Sequence, residues 1–518
     1  MEDTETSGIP RWADRIIRAS FALLFILVPL ILTSVNYELF EYNKMMVTYG
    51  LTAIIAGAWL IKMISLREIR IAKTPLDIPL ALFFASQLLS SLFSMDPHVS
   101  WFGYYSRFNG GMLSIISYIL LYYAFVSNYD DYKNYIKISL ATGVVVALYG
   151  VAERLGVDKQ LWVQDVQNRV FSTLGQPNWL AAYLVALAPM AMAFGLQARS
   201  SKFTIQSISV GFWIWNIITV LFFLVLLFTR SRSGLAGFAA ADIAFWGLLW
   251  WKTHNTRMLR MPFLILHAAF ALIVFVNGTY VDSIDKWVTF RAWKERIAQS
   301  QRISTPPQQD VPAPAVATPS ATYTAPLLET GGTESGTIRK YVWQGAIAAW
   351  KSSTKTFFIG TGTETFAFAF FQFRPEGHNL TSEWDFLYNK AHNEYLNYLA
   401  TTGIFGLGSY LVIIGSVIWF FFRQIFRGSL HIDLFTARAA LLAGWLSILV
   451  TNFFGFSVVI VQLLLFLFPA MMIAGNQQWK TLHIHFPYHV SKWISLALFL
   501  VLLGVAVLLI MLSRIWYA

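Results

Sequence analysis

Cysteine is absent from this 518-residue sequence. The chain therefore has no disulfide, no thiolate ligand for a metal and no cysteine nucleophile. Charged residues are also scarce, at 13% against about a quarter in typical soluble domains. Hydrophobic residues make up 56% of the chain. This composition excludes an ordinary soluble protein, and any segment outside a membrane must be held together by packing alone.

Long apolar runs recur along the chain, each of roughly 18 residues or more, which is enough to cross a ~30 Å hydrocarbon core as a helix. Only helices and closed barrels can span a bilayer. A barrel would need alternating segments of ~10 residues, whereas the run 212–228 is almost continuously apolar. The sequence predicts an all-α integral membrane protein with 12–13 transmembrane helices and one large external loop.

Hydropathy places the candidate spans near residues 17–36, 45–63, 76–94, 111–127, 136–153, 179–197, 208–228, 234–251, 262–279, 403–422, 435–453, 457–475 and 492–513. The very short turn near 452–457 leaves the total at 12 or 13. These spans divide the chain into an N-terminal bundle of about nine helices at 1–280, an external loop at 281–398 and C-terminal helices at 399–518.

The formal net charge of +11 is compatible with nucleic-acid binding, but the placement of the basic residues argues against it. They concentrate in short loops after every second span, which the positive-inside rule assigns to the cytoplasm. Basic residues before the first span place the N-terminus there too, and that span is expected to be an anchor and not a cleaved signal peptide. The residues concerned are Arg11, Arg15, Arg18, Lys62, Arg67, Arg70, Lys73, Lys133, Lys137, Arg199, Lys202, Lys252, Arg257 and Arg260.

The external loop contains two kinds of sequence. Residues 303–336 are rich in Pro, Thr, Ala and Gly and cannot form a core, so we expect a disordered or mobile insertion there. The segment 339–350 has helical periodicity. Four aromatic side chains can supply a small packed core for this part: Trp343, Trp350, Phe357 and Phe358.

Arginines on the external side depart from the positive-inside rule. Arg230 and Arg232 lie in a turn of only a few residues between two apolar spans. Guanidinium groups match the geometry of phosphate oxygens, although such arginines can also extend to lipid headgroups. Because two of them share so short a turn, we favour an anion-binding site. Arg107, Arg339 and Arg374, each taken alone, are expected to be surface charges.

His392 stands in the segment Ala-His-Asn-Glu-Tyr-Leu, at the start of a short amphipathic helix that leads into the next span. This position places it at the external membrane surface. A neutral imidazole there can take a proton from a hydroxyl group. Spacing alone leaves a surface or helix-capping histidine as the alternative. For His378 and His98 we expect that simpler role.

Further segments accompany these two: Tyr-Ser-Arg-Phe-Asn-Gly-Gly at 105–111, Thr-Leu-Gly-Gln-Pro-Asn-Trp-Leu-Ala-Ala-Tyr-Leu at 173–184, Ile-Gly-Thr-Gly-Thr-Glu-Thr-Phe at 359–366, Phe-Arg-Pro at 373–375 and Phe-Phe-Gly-Phe-Ser-Val-Val at 453–459. Between about residue 100 and residue 475, the sequence resembles the O-antigen ligase and polysaccharide polymerase (Wzy_C-type) superfamily of bacterial envelope glycosyltransferases. The His-Asn-Glu-Tyr-Leu element is the most specific part of this resemblance.

The resemblance implies a GT-C-type membrane glycosyltransferase that works at the outer face of the bacterial inner membrane without a cofactor. Its donor would be a glycan on undecaprenyl diphosphate, and its acceptor a hydroxyl on another glycan, on lipid A core or on a protein. His392 would be the general base, and Arg339, Arg230 and Arg232 would hold the diphosphate. Further candidate substrate contacts are Arg374, Arg107, Asn393 and Asn178. Lys390 stands where many relatives carry arginine.

The residues also bear on mechanism. The sequence has no Asp-x-Asp pair of the kind that holds a divalent cation, and Glu383-Trp384-Asp385 is a poor substitute. We therefore expect a metal-independent, inverting transfer. Two alternatives stay open: a lipid-linked oligosaccharide flippase or other transporter, and a peptidoglycan-polymerising enzyme that uses an external acidic residue. The candidates for that acid are Glu364, Glu376 and Asp385.

Overall fold

The structure is a computed structural model of the chain. It describes residues 8–33, 38–129, 131–198, 209–253, 257–303, 335–427, 431–474 and 481–485, and isolated positions beyond them. The predicted insertion at 303–336 lies almost entirely outside these residues. The predicted last span at 492–513 also lies outside them, apart from isolated positions.

The described part is built almost wholly from helices. They are α1 (Gly8–Leu30), α2 (Glu41–Leu66), α3 (Asp77–Leu92), α4 (Pro97–Phe102), α5 (Met112–Asn128), α6 (Lys133–Arg154), α7 (Pro177–Gln197), α8 (Val210–Phe228), α9 (Arg232–Lys252), α10 (Arg257–Asn277), α11 (Asp282–Val288), α12 (Phe290–Ile303), α13 (Ser335–Lys351), α14 (Thr354–Ile359), α15 (Phe366–Phe373), α16 (Glu394–Arg427), α17 (Ile432–Phe453) and α18 (Val459–Ala474). Two short strands, β1 (Glu68–Ala72) and β2 (Thr481–His485), and two 3-10 helices, Ser172–Leu174 and Glu376–Leu380, complete the described elements.

Within the described residues, eight helices are long and apolar enough to cross a membrane: α2, α6, α7, α8, α9, α10, α16 and α17. Helices α3, α5 and α18 are apolar but shorter. The prediction of an all-α integral membrane protein is confirmed.

The centre of the bundle is formed by α7, α17 and α18, most of whose residues are buried. Small residues let two of these helices approach closely, as is typical of helix packing in membranes. At the contact between α7 and α17, a Cβ atom on Gly444 would lie 2.2 Å from the carbonyl oxygen of Ala186. The two backbones therefore meet only because position 444 has no side chain.

One end of the bundle gathers the segments predicted to face the cytoplasm. Lys62 at the end of α2 pairs with Asp14 in α1 at 2.7 Å and donates to Asn128 of α5 at 3.1 Å. At this end β1 and β2 pair antiparallel, with Glu68 opposite His485. This pairing could not be predicted from the sequence, because the two strands lie some 400 residues apart and each is only five residues long.

The segments predicted to be external pack into a second core. This core is formed by Ile338, Val342, Ala346, Phe366, Phe370, Tyr388, Ala391 and Ala400. Of the aromatic residues predicted to build it, Trp350 stacks on Phe357 at 4.9 Å, and Trp343 lies 6.1 Å from the ring of Phe453. The core thus forms from aliphatic residues of α13 and aromatic residues of α15, joined by Tyr388, Ala391 and Ala400. It contains none of the four predicted aromatic residues, so that prediction is wrong.

Helix α16 joins this external layer to the membrane. Its path is interrupted at Gly403, whose backbone is non-helical with φ of 65°. A Cβ atom there would lie 2.4 Å from the backbone of Phe358. Glycine therefore permits both the kink and the close contact that fixes α14 against the first turns of α16.

Candidate active site

His392 lies in the turn immediately before α16, with its backbone in the left-handed region at φ of 51°. This conformation costs a non-glycine residue on the order of 1–3 kcal/mol, so the surroundings must hold it. Asn393 does so by accepting a hydrogen bond from the backbone of Leu396 at 3.0 Å. Asn397 accepts one from the backbone of Ala391 at 3.3 Å. In the structure Asn393 therefore acts as a capping residue.

The imidazole of His392 has defined surroundings. Its Nδ1 lies 3.2 Å from the carbonyl oxygen of Lys390. Since a carbonyl can only accept, Nδ1 carries the proton and Nε2 keeps a free lone pair. The ring packs edge-on against Tyr388 at 5.1 Å and Phe456 at 5.4 Å. This arrangement selects the tautomer that a base acting through Nε2 needs.

Burial lowers the pKa of His392 to about 4, and the positive charges of Arg339 and Arg107 act in the same direction. The carbonyl of Lys390 opposes this shift only in part. The imidazole is therefore neutral at pH 7 and available to accept a proton. The two arginines that perturb it must also lie close enough to share its electrostatic field.

His392 lines a cleft of about 360 Å³. Three other parts of the chain contribute to it: the first turn of α7, the start of α9 and the turn between α17 and α18. The residues that line the cleft are Gln176, Asn178, Trp179, Ala182, Ser233, His392, Thr451, Phe454, Gly455 and Phe456.

Arg107 lies beside this cleft. Its guanidinium is 5.0 Å from the ring centre of Trp179 and 5.3 Å from that of Phe456. Within the described residues, its buried Nη1 has no hydrogen-bond partner. Phe456 thus contacts both His392 and Arg107 on one wall of the cleft, and a buried donor remains available for an anionic ligand.

The turn between α8 and α9 is attached to the same cleft. The hydroxyl of Ser231 donates to Oδ1 of Asn178 at 2.8 Å and accepts from the backbone of Gly234 at 3.1 Å. Ser233 follows in the first turn of α9 and lines the cleft. Asn178 thus lines the cleft and also fixes the arginine-containing turn.

Arg230 adopts φ of 51°, and its guanidinium lies 4.2 Å from the ring centre of Tyr280. Within the described part of the chain, its buried Nε lacks a hydrogen-bond partner. Arg169 approaches the same turn and donates to the carbonyl of Thr229 at 3.2 Å. Burial and the charge of Arg230 lower the pKa of Arg169. Arg232 is exposed at the first residue of α9.

Tyr388 connects the remaining candidate arginines to His392. It is buried and bonds to Glu383, and these two effects raise its pKa, whereas Arg339 and Arg374 act to lower it. Burial lowers the pKa of Arg339. Both arginines therefore lie near the phenol that packs against the catalytic candidate.

The expectation of a surface role is wrong for His378, which is fully buried between Phe370 and Tyr388. Its Nδ1 accepts a hydrogen bond from Arg374 at 3.1 Å. Burial and Arg374 lower its pKa. The aromatic side chains of the external core explain the difference, because they enclose the segment after α15. His98 is exposed, as expected.

A second, polar cavity of about 420 Å³ contains a group of buried charges. Lys390 and Glu364 form an ion pair. Glu394 interacts electrostatically with Lys390, and its Oε2 has no hydrogen-bond partner among the described residues. Lys390 is thus used internally, two residues before His392. In the described part of the chain, no group of three or more His, Asp or Glu side chains is placed to hold a metal ion.

The structure brings His392, Arg107 and Arg339 into one electrostatic environment and joins the Arg230 turn to the same cleft through Ser231 and Asn178. Sequence reasoning missed Tyr388 and Arg169. Tyr388 carried no signal beyond its place four residues before His392. Arg169 could have been noticed as another external arginine, shortly before the Gly-Gln-Pro-Asn segment.

The buried ion pair predicts an asymmetry between two substitutions. Lys390→Met leaves two buried carboxylates without their cation and should lower the free energy of unfolding by about 3–5 kcal/mol. Glu364→Gln should cost less, because Lys390 still faces Glu394. Lys390→Arg, the control, keeps the charge and should retain most of the stability. Unfolding in detergent measures all three. Equal losses for the two neutral substitutions would contradict this role of Lys390.

Comparison with protein-family models matches residues 217–411 to the family described as O-antigen ligase (Wzy_C). The matched region runs from α8 into α16 and includes Arg230, Arg232, Arg339, Arg374 and His392. No curated protein matches the chain. The predicted resemblance is confirmed for residues 217–411, which match the O-antigen ligase family model.

Proposed function

We propose that this protein transfers a glycan from undecaprenyl diphosphate to an acceptor hydroxyl at the external face of the bacterial inner membrane. The observation that carries the proposal is the geometry of the cleft, where the half-buried His392 and the guanidinium of Arg107 contact the same ring of Phe456. A base and a set of cations are what this reaction requires, because the glycosyl diphosphate already contains a good leaving group.

His392 acts as the general base. Its Nε2 takes the proton of the acceptor hydroxyl while the hydroxyl oxygen bonds to the anomeric carbon of the donor. The bond between that carbon and the phosphate oxygen breaks, and the diphosphate leaves with the electron pair. A single displacement inverts the anomeric configuration.

Arginines stabilise the negative charge that develops on the leaving group. Arg339 and Arg107 are the two whose charges reach His392, and the buried donor of Arg107 offers a hydrogen bond. Arg230 and Arg232 extend the positive region along the turn attached to the cleft. These guanidiniums take the place of a divalent cation, so the reaction is metal-independent. Arg374 and Asn178 border the same region.

Binding of the donor also adjusts the base. In the free protein the arginines lower the pKa of His392. A bound diphosphate neutralises them, which raises this pKa and makes the imidazole a stronger base when the acceptor is deprotonated. Donor binding is therefore expected to raise the pKa of His392 before the acceptor is deprotonated.

The acceptor defines the alternatives within this proposal. A ligase for lipid A core, a polysaccharide chain polymerase and a protein O-oligosaccharyltransferase share the donor and differ in the hydroxyl that attacks. All three use the same base and arginines.

The structure gives less support to the other classes. A transporter would place charged groups near the midplane of the membrane, whereas the candidate groups meet at one end of the bundle. For an acid-dependent polymerising enzyme, Glu364 is occupied by Lys390, and Glu376 and Asp385 are exposed.

Transfer from a lipid-diphosphate donor by the purified protein tests the site. His392→Ala should reduce the rate by about 10²–10⁴-fold through loss of the base. Arg339→Ala should reduce it by about 10²–10³-fold through loss of charge stabilisation. His98→Ala, an exposed histidine on the same side, is the matched control and should keep full activity.

Full activity of folded His392→Ala would overturn the assignment of the base. The same assay with a chelator tests metal independence, since a chelator that abolishes wild-type transfer would contradict it.

The pH dependence supplies a separate prediction. His392 is active when neutral, so activity is present above its pKa and lost as the pH falls through it. The acid limb of kcat/KM reports the free enzyme and should lie near the pKa of about 4. The acid limb of kcat should lie higher, because bound diphosphate offsets the arginines. Arg107→Gln should raise the apparent pKa of the acid limb of kcat/KM, because it removes a positive charge near His392. An apparent pKa that this substitution leaves unchanged would contradict the arrangement.

A further inference from the structure

Helices α11 and α12 follow directly after the external end of α10. One contact joins α12 to α10, and another joins α12 to α11. The ring of Phe290 lies 5.7 Å from Phe275 of α10. Arg296 donates from Nη2 to the carbonyl oxygens of Lys286 and Trp287, at 2.7 and 3.1 Å, which sets the angle between α11 and α12. Since α10 is the least buried of the candidate spans in the described residues, α12 begins beside a helix whose surface faces lipid.

One face of α12 is apolar and exposed. Phe290, Trp293 and Ile297 follow the spacing of i, i+3 and i+7, which places them on the same side of a helix. Their exposed fractions are 49%, 53% and 39%. On α11, Trp287 is exposed by 67%. Several large apolar side chains exposed side by side indicate a surface that binds a protein or a membrane.

The charged residues of α12 are arranged around that face. At 100° per residue, Lys294 and Arg296 lie at its two borders, one on each side. Arg291 and Glu295 pair with each other at 3.0 Å on the opposite side, where both are exposed. An apolar face with cations at both borders is typical of helices that lie in a membrane interface, where the cations meet lipid phosphates.

We propose that α11 and α12 lie in the headgroup layer of the external leaflet, with Phe290, Trp293 and Ile297 inserted among the upper acyl chains. Lys294 binds a lipid phosphate at one border of the inserted face, while Arg296 at the other border holds α12 against α11. The turn before α11 contains Tyr280, which packs under Arg230. Anchoring this segment therefore fixes the cleft at the level of the lipid headgroups.

Because the chain has no cysteine, a single introduced cysteine can be spin-labelled without removing any native one. Ile297→Cys places a spin label on the apolar face, and Glu295→Cys places one on the opposite side of the same helix as the matched control. The full chain is reconstituted in vesicles of phosphatidylcholine and phosphatidylglycerol. Collision rates are then measured with oxygen, which concentrates in lipid, and with a nickel chelate, which stays in water.

The label at 297 should show a high oxygen rate and a low nickel rate, and the label at 295 the reverse. Adding Lys294→Glu, which places an anion at the lipid-facing border, should shift the label at 297 towards the pattern of a water-exposed site. If Ile297→Cys does not fold, Trp293→Cys tests the same face.

Two results would overturn the proposal. Low rates with both reagents at 297 would show that protein covers this face, either another segment of the chain or a second copy. High nickel rates at both positions would show that the helix stands in water.

Discussion

The electrostatic interaction of the half-buried His392 with Arg107 and Arg339 is the one on which the other features of the site depend. In water, a histidine at pH 7 is partly protonated and its charge is well solvated. Here the surrounding aromatic rings and positive charges exclude the protonated form. The arginines that keep the imidazole neutral are also those whose charge a bound diphosphate would neutralise. Anion binding and the pKa of His392 are therefore coupled.

Such a site needs a rigid frame, because a pair of like-charged groups near a left-handed turn opposes folding. The frame comes from contacts that have little to do with catalysis. Asn393 and Asn397 hold the turn, and Lys390 is anchored internally by Glu364. The kink at Gly403 fixes α14 against α16, directly below the turn. The contacts that hold the turn thus lie on the side of His392 away from the cleft, and the cleft itself is left for substrate.

The membrane itself completes the frame. The bundle has its ion-paired, strand-linked end on one side and its arginine-rich end on the other. In the proposed arrangement, α12 holds the loop at the headgroup layer, where the diphosphate of a lipid-linked donor would lie. A soluble enzyme would have to capture such a donor from the bilayer. In the proposed arrangement the cleft lies at the depth of the donor's diphosphate.

Features encoded locally could be predicted from the sequence. The apolar run 179–197 predicted a helix, which is observed as Pro177–Gln197. Features that depend on contacts distant in sequence could not be predicted. Tyr388 gains its position only when α13 and α15 enclose it, the burial of His378 follows from the same packing, and β1 finds its partner near the other end of the chain.

The most direct test is the pKa of His392 itself, measured by NMR on protein with isotope-labelled histidine. His392→Gln identifies the signal among the nine histidines. The measurement is made on the free protein and with a short prenyl diphosphate that carries no sugar. We predict a pKa of about 4 without ligand and a clear rise with it. A value near the ordinary 6.5 that the diphosphate leaves unchanged would contradict the account.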